Sequence, residues 1–119
     1  MFFKKKKTEQ KADIAAESKI VDNNLKGQEL EKAGNIEKAK KLYEENIAKD
    51  FDGNHPYDRL AIIYRKEKDY DNEIRVLEHA IKVFTSLSKS SPRGDVNPKL
   101  TKFKDRLKKV QELKLKDAQ

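Results

Sequence analysis

The sequence predicts an all-α protein built from stacked antiparallel helical hairpins, and three observations support this fold class. Residues 20–53 and 54–87 carry one pattern twice at a constant offset of 34, with small residues aligned on small ones and large apolar residues on large apolar ones. Charged residues make up 41% of the chain and apolar residues 35%, which suits thin layers of amphipathic helices. Only 4 glycines and 3 prolines interrupt the helix-forming residues. Repeats of this length indicate hairpins that bury their apolar sides by stacking.

Five helices follow from the spacing of apolar residues and from the residues that begin or end helices. Gly34 suits the left-handed conformation that closes a helix, Asn35 suits the cap of the next one, and Pro56 suits a first helical turn. The last helix is apolar on one side and basic on the other, as expected of a helix that caps the stack. The helices are predicted to begin at about residue 11 and then to span 36–49, 57–67, 70–87 and 98–116, with a Ser-, Pro- and Gly-rich loop at 86–97.

The net charge of +7 belongs to the two ends of the chain. Residues 1–8 carry four lysines and no acid, residues 99–119 carry 8 basic and 3 acidic residues, and residues 9–98 are nearly balanced. We expect residues 1–10 to form a basic flexible arm and residues 11–119 to form the helical domain. The arm is either only solvated or also in contact with an anionic membrane surface, and the sequence leaves both open.

The composition argues against several classes of chemistry. The chain has no cysteine, which excludes disulfides and thiol chemistry and suits a reducing compartment. It has no apolar run long enough for a signal peptide or a membrane span. Only two histidines, His55 and His79, are present, and the glycines form no phosphate-binding loop. We therefore expect a cytoplasmic protein without enzymatic activity, cofactor or metal.

Residues 20–87 resemble two tetratricopeptide repeats. This family has a small residue followed by a large one in the first helix of each repeat, matched here by Gly27 with Leu30 and by Ala61 with Tyr64. In the second helix, a small residue near the start, a large residue after it and a further small residue characterise the family. These positions are matched by Ala39 and Tyr43 in the first copy and by Leu77 and Ala80 in the second.

The chain also departs from the family pattern at five positions. Glu73 and Asn46 stand where the family has small residues, and Lys68 stands where it often has a glycine before the second helix. Phe51 and Thr85 replace the proline that closes each repeat. The resemblance covers a little over half of the chain and implies a divergent array of helical hairpins.

The resemblance implies a scaffold that binds proteins or peptides on a concave side lined by the first helix of each repeat. Spacing alone also puts residues 55, 58, 59, 62, 65 and 66 on one helical face, with three cations that favour an acidic segment in the partner. A solvated helix surface explains these positions equally well. Carried over position by position, the predicted binding residues are Asn24, Gln28, Lys32, His55, Arg59, Ile62, Arg65 and Lys66, with Glu31 and Asp58 beside them.

Two alternative functions remain open. The basic ends favour binding of nucleic acid or of an anionic surface, with an affinity that falls steeply as salt is added. A structural protein that buries leftover apolar edges in a homodimer is the other alternative. Because two repeats are fewer than the three that stability normally needs, we expect the segment before Ile20 and the helix after Asn97 to complete the stack.

Overall fold

The computed structural model describes residues 7–119, and over this range it contains five α-helices and no strand. This confirms the predicted all-α class. Apolar residues at helical spacing give one buried side to each helix after the first. None of the described helices is long and apolar enough to cross a membrane. The helices are α1 Lys7–Lys32, α2 Ile36–Ile47, α3 His55–Lys66, α4 Tyr70–Ser90 and α5 Val96–Asp117.

The helices pack as hairpins in two layers, with α1, α3 and α5 in the first layer and α2 and α4 in the second. Ion pairs join the neighbours within each layer. In the first layer, α1 is joined to α3 by Glu31 and Arg59, and α3 is joined to α5 by an Asp58 side chain 2.7 Å from the Arg106 guanidinium. In the second layer, Arg75 of α4 reaches Glu44 of α2. This order is the predicted stack of hairpins closed by a last helix.

The core continues from the first hairpin through to α5. Its centre is an aromatic cluster in which the ring of Phe103 on α5 lies 5.2 Å from that of Phe84 and 6.2 Å from that of Tyr57. At the other end of the core, Gly27 of α1 lies against the Tyr43 ring so closely that a Cβ would come within 2.5 Å of it. The first repeat therefore needs a residue without a side chain at position 27, because the Tyr43 ring occupies that space.

Both hairpin turns have the same backbone geometry, as the 34-residue repeat predicts. Gly34 ends α1 with φ +81°, and Lys68 takes the same place after α3 with φ +57°. The amide of Asn35 donates to the Leu30 carbonyl at 2.8 Å, and the amide of Asp69 donates to the Tyr64 carbonyl at 2.8 Å. Lys68 therefore adopts the left-handed conformation for which the family often uses glycine.

Two helix boundaries differ from the sequence prediction by three residues or more, and the others differ by at most two. The first helix begins at Lys7 rather than at about residue 11, and it continues without a break past Ile20, so residues 7–19 do not form a separate packing helix. Residues 7–10, which were predicted to belong to a flexible arm, are therefore part of this helix. Residues 1–6 lie outside the described part of the chain. At the other end, α4 continues to Ser90 and the loop shrinks to residues 91–95.

The serine-rich stretch remains helical because its hydroxyls find partners inside the helix. Ser88 donates to the Thr85 carbonyl at 2.6 Å, and Ser90 donates to the Ser86 carbonyl at 3.1 Å. Serine favours loops because it competes for backbone hydrogen bonds, and here it bonds back to the preceding turn instead. The capping role predicted for the Asn35 side chain was wrong. Asn35 stands at the start of α2, but its side chain makes no capping hydrogen bond.

Candidate functional site

The candidate site is the face of α3 that looks away from the core, together with the neighbouring sides of α1 and α5. The six predicted residues on α3 are all at least partly exposed, whereas Leu60, Ala61 and Tyr64 on the same helix are buried. The helical spacing of this face is therefore as predicted. Its role in binding remains a prediction.

Arg59 lies in an ion pair that joins three helices. Its Nη2 is 2.6 Å from Oε1 of Glu31 on α1, and its Nε donates to Oε2 at 3.1 Å. The Tyr43 hydroxyl of α2 donates to the same carboxylate at 2.7 Å. Burial by itself would raise the pKa of Glu31, but the hydrogen bonds from Arg59 and Tyr43 outweigh it and hold this pKa below its ordinary value. Arg59 is thus already occupied in holding α1, α2 and α3 together.

Arg65 has a comparable structural partner. Its Nε donates to Oε2 of Glu73 at 2.9 Å, and its Nη2 lies 2.7 Å from the same oxygen. The Glu73 side chain is 0% exposed, so it depends on Arg65 for its charge partner. Glu73 is the residue that replaces a small one of the family pattern, and Arg65 is what makes this replacement compatible with a packed helix pair.

On α1, two of the three predicted site residues are also in contact with neighbouring helices. The Oδ1 of Asn24 accepts a hydrogen bond from Asn46 of α2 at 2.8 Å, and Nε2 of Gln28 lies 3.3 Å from Nε2 of His55. Burial and the nearby Arg59 charge lower the pKa of His55, which keeps its imidazole neutral at pH 7. Lys32, in the last turn of α1, is exposed.

Asn46 explains the other departure from the family pattern inside the helices. It is fully buried, donates to the Ile20 carbonyl at 2.9 Å and accepts from Asn23 Nδ2 at 3.1 Å. Asn23 and Asn46 take the positions that Tyr57 and Ala80 take in the second repeat. Sequence reasoning missed this pair, although both changes fall in one repeat at positions that the other repeat fills with a large and a small residue.

Lys66 differs from its two arginine neighbours because it is exposed and has no ion pair among the described residues. It borders two hollows. One, of about 210 Å³, is lined by residues that include Glu31, Ile36 and Arg59. The other, of about 240 Å³, lies between α3 and α5 and is lined by Ala61, Ile62, Arg65, Lys66 and Arg106.

Arg106 belongs to this face, although the sequence analysis did not include it. Its guanidinium lies 2.7 Å from Asp58 of α3 and forms one wall of the hollow beside Ile62. The available signal was its place in α5, where it is three residues after Phe103 and is the only arginine among lysines. An arginine beside an apolar stripe is suited to forked pairing with a carboxylate of a neighbouring helix.

The geometry defines a class of protein, namely a two-layer array of helical hairpins with a polar face on the first layer. Residues 55–84, which comprise α3 and most of α4, match the sequence model of the tetratricopeptide repeat family. The family resemblance predicted from sequence is confirmed for the second hairpin. A search of curated proteins and a search of solved structures found no match to the chain. Tetratricopeptide repeats are in general protein-interaction scaffolds and typically non-catalytic.

Proposed function

We propose that this chain is a non-enzymatic, cytoplasmic scaffold that binds an acidic segment of a protein partner along α1, α3 and α5. The observation that carries the proposal is the position of Lys66, an exposed ammonium between two hollows on a face whose arginines are already paired. A carboxylate of the partner would meet Lys66 without first breaking an internal ion pair.

The depth at which charges lie on this face supports an acidic partner. The side chains of Glu31 and Glu73 are 13% and 0% exposed, whereas those of Arg59 and Arg65 are 34% and 36% exposed. The carboxylates therefore lie beneath the guanidinium groups. Lys32 and Lys66 add exposed positive charge at the same edge of the layer. A partner approaching from solvent meets mostly cations, which favours carboxylates by electrostatic attraction.

The hollow between α3 and α5 adds an apolar requirement. Its floor includes Ala61 and the half-buried Ile62, and Arg106 forms its wall. An apolar side chain seated there would leave its own backbone near Lys66. We therefore expect a partner segment in which an acidic residue stands close to an apolar one.

Charge reversal at the two unpaired lysines is the test that leaves the fold intact. Lys32→Glu/Lys66→Glu alters only exposed side chains, whereas changes at Arg59 or Arg65 would also break internal ion pairs and obscure the result. The matched control is Lys104→Glu/Lys108→Glu, which makes the same charge change on an exposed side of α5 away from Arg106. Wild type and both variants would be used for affinity capture from nuclease-treated extracts of the source cells, with quantitative mass spectrometry.

A partner that is captured by wild type and by the control but not by Lys32→Glu/Lys66→Glu is the expected result. The same partner should bind in purified form with a matching loss of affinity. Equal capture by all three proteins would show that this face is not the binding surface.

The second candidate is binding of nucleic acid or an anionic surface, and the charge of α5 is the observation in its favour. Residues 99–119 hold 8 basic and 3 acidic residues, and most of these lysines are exposed. This function predicts that binding falls steeply with salt and that Lys104→Glu/Lys108→Glu is the damaging variant. Under this second function, Lys104→Glu/Lys108→Glu becomes the test variant and Lys32→Glu/Lys66→Glu becomes its control.

A further inference from the structure

A second surface, separate from the α3 face, lies at the end of the stack formed by α1 and α2. Val21 and Leu25 of α1 are 54% and 55% exposed there, which is unusual for large apolar side chains in so charged a chain. Beside them runs a groove of about 680 Å³ between the two helices. We call this surface the α1/α2 end face, and its groove is lined by residues that include Lys26, Leu30, Ala33, Lys38, Leu42 and Glu45.

The 34-residue repeat shows what this kind of face does elsewhere in the molecule. The counterparts of Leu30 and Leu42 in the second hairpin are Tyr64 and Val76, which are both buried. Tyr64 donates a hydrogen bond to Glu44 of α2 at 3.2 Å. The second hairpin therefore uses this face to pack against the first.

Two further counterparts confirm the register. Lys41 and Glu45 of the first hairpin correspond to Arg75 and His79 of the second. Arg75 lies 2.7 Å from Glu44, and His79 lies 2.7 Å from Asp50, so both reach across to the first hairpin. On the first hairpin, Lys41 is exposed and Glu45 is partly exposed, and neither has a partner on a further hairpin in the described part of the chain.

The helix preceding the repeat does not cover the α1/α2 end face. Residues 7–19 continue the axis of α1 in one unbroken helix that ends at Lys32, so they lead away from the groove instead of folding back over it. At the opposite end of the stack, α5 does cover the corresponding surface, with Phe103 and Val110 buried against α4. Within residues 7–119, α5 closes one end of the stack and no other helix covers the opposite end.

We propose that the open end is a homodimer interface, in which two copies pack their α1/α2 end faces about a two-fold axis. A two-fold interface pairs a surface with itself, so the surface has to be self-complementary. The rim of the groove meets this condition because it carries both signs of charge on each helix, with Lys26 and Glu29 on α1 and Lys38, Lys41 and Glu45 on α2. The apolar centre would bury Val21 and Leu25 of both copies.

The charges at the two ends of the stack favour a second copy packed end to end in this way. The opposite end is unsuited to the same contact, since residues 99–119 carry 8 basic and 3 acidic residues and would repel their own copy.

The proposal is independent of the binding function assigned to the α3 face, and the two fail separately. Its test is sedimentation velocity of the full chain from low to several hundred micromolar, with wild type, Leu25→Glu and Leu115→Glu. Leu115 is the matched control because it is also a leucine on a helix surface and is 68% exposed. Neither substitution removes a buried side chain, and circular dichroism would confirm equal helix content.

Wild type and Leu115→Glu are expected to sediment as dimers that dissociate on dilution, and Leu25→Glu is expected to dimerise at least about tenfold more weakly. A monomer at every concentration of wild type would overturn the proposal and leave the face to a different protein. Equal dimerisation of wild type and Leu25→Glu would overturn it as well.

The absence of cysteine allows a second measurement that does not depend on weakening the dimer. A spin label on Lys38→Cys, an exposed position at the rim of the groove, should give a short intermolecular distance by double electron–electron resonance, while a label on Leu115→Cys should give a much longer one. A dimer in which the label at position 115 shows the short distance would place the interface at α5 and contradict the proposed surface.

Discussion

The Nη2 of Arg65 lies 2.7 Å from Oε2 of Glu73, a carboxylate with 0% exposure at a position where related repeats have a small residue. The first hairpin has Ala39 at the equivalent position. A buried charge is tolerated only with a partner, so the departure from the family pattern at Glu73 requires Arg65. For this reason, part of the positive charge predicted on this face stabilises the fold instead of being free to bind a partner.

The Arg65–Glu73 pair predicts opposite effects for single and double substitutions. Arg65→Ala leaves the Glu73 carboxylate buried and unpaired and should lower the free energy of unfolding by about 3–5 kcal/mol. Arg65→Met/Glu73→Ala removes both charges and restores the small residue, so its stability should return close to that of wild type. Urea unfolding at pH 7 followed by circular dichroism measures both. A single variant as stable as wild type would show that the pair is not a structural requirement.

The buried asparagine pair of the first hairpin predicts a similar rescue. Asn46→Ala removes the buried hydrogen bonds that Asn46 makes to Asn23, to Asn24 and to the Ile20 carbonyl, and it should lower the free energy of unfolding by roughly 1–3 kcal/mol. Asn23→Tyr/Asn46→Ala places the Tyr57 and Ala80 pair of the second hairpin at these positions and should recover much of that loss. Thermal unfolding compares the three proteins. No recovery in the double variant would mean that the two repeats pack α1 and α2 differently from α3 and α4.

Glu31 predicts a defined pH dependence of stability. Its pKa in the folded protein is below its ordinary value of 4.5, so its ion pair stabilises the fold above that pH, and the stabilisation is lost as the pH falls through the lowered pKa. Glu31→Gln cannot form the ion pair at any pH. The difference in free energy of unfolding between wild type and Glu31→Gln should therefore shrink as the pH falls from about 5.5, roughly one unit above the ordinary value, to about 3. A difference that stays constant over this range would contradict the assignment.

Gly27 predicts a packing penalty that a second glycine lacks. A Cβ at Gly27 would lie 2.5 Å from the Tyr43 ring, so Gly27→Ala should cost about 1–3 kcal/mol by overpacking. Gly94 has nothing within 4 Å of a Cβ and needs no left-handed backbone, so Gly94→Ala should be neutral or slightly stabilising. Melting temperatures of the two variants give the comparison. Equal melting of both would show that the Tyr43 ring moves aside at little cost.

The sequence alone determined the helical class, the two hairpins, the turn at Gly34 and the exposed face of α3. Each of these depends on local periodicity or on the conformation of one residue, which neighbours in the chain reveal. The length of α4 was misjudged for a related reason, because the serines at its end suit a loop as well as a helix that accepts their hydroxyl hydrogen bonds.

Only the tertiary structure decided which charges of the candidate face are occupied and which end of the stack is open. Arg59 finds Glu31 28 residues away on another helix, and Arg65 finds Glu73 8 residues away across a turn. No helical spacing predicts such pairs, because they depend on how whole helices are placed against each other. The exposure of Val21 and Leu25 has the same origin, since an apolar stripe predicts burial and only packing shows whether a partner helix is present.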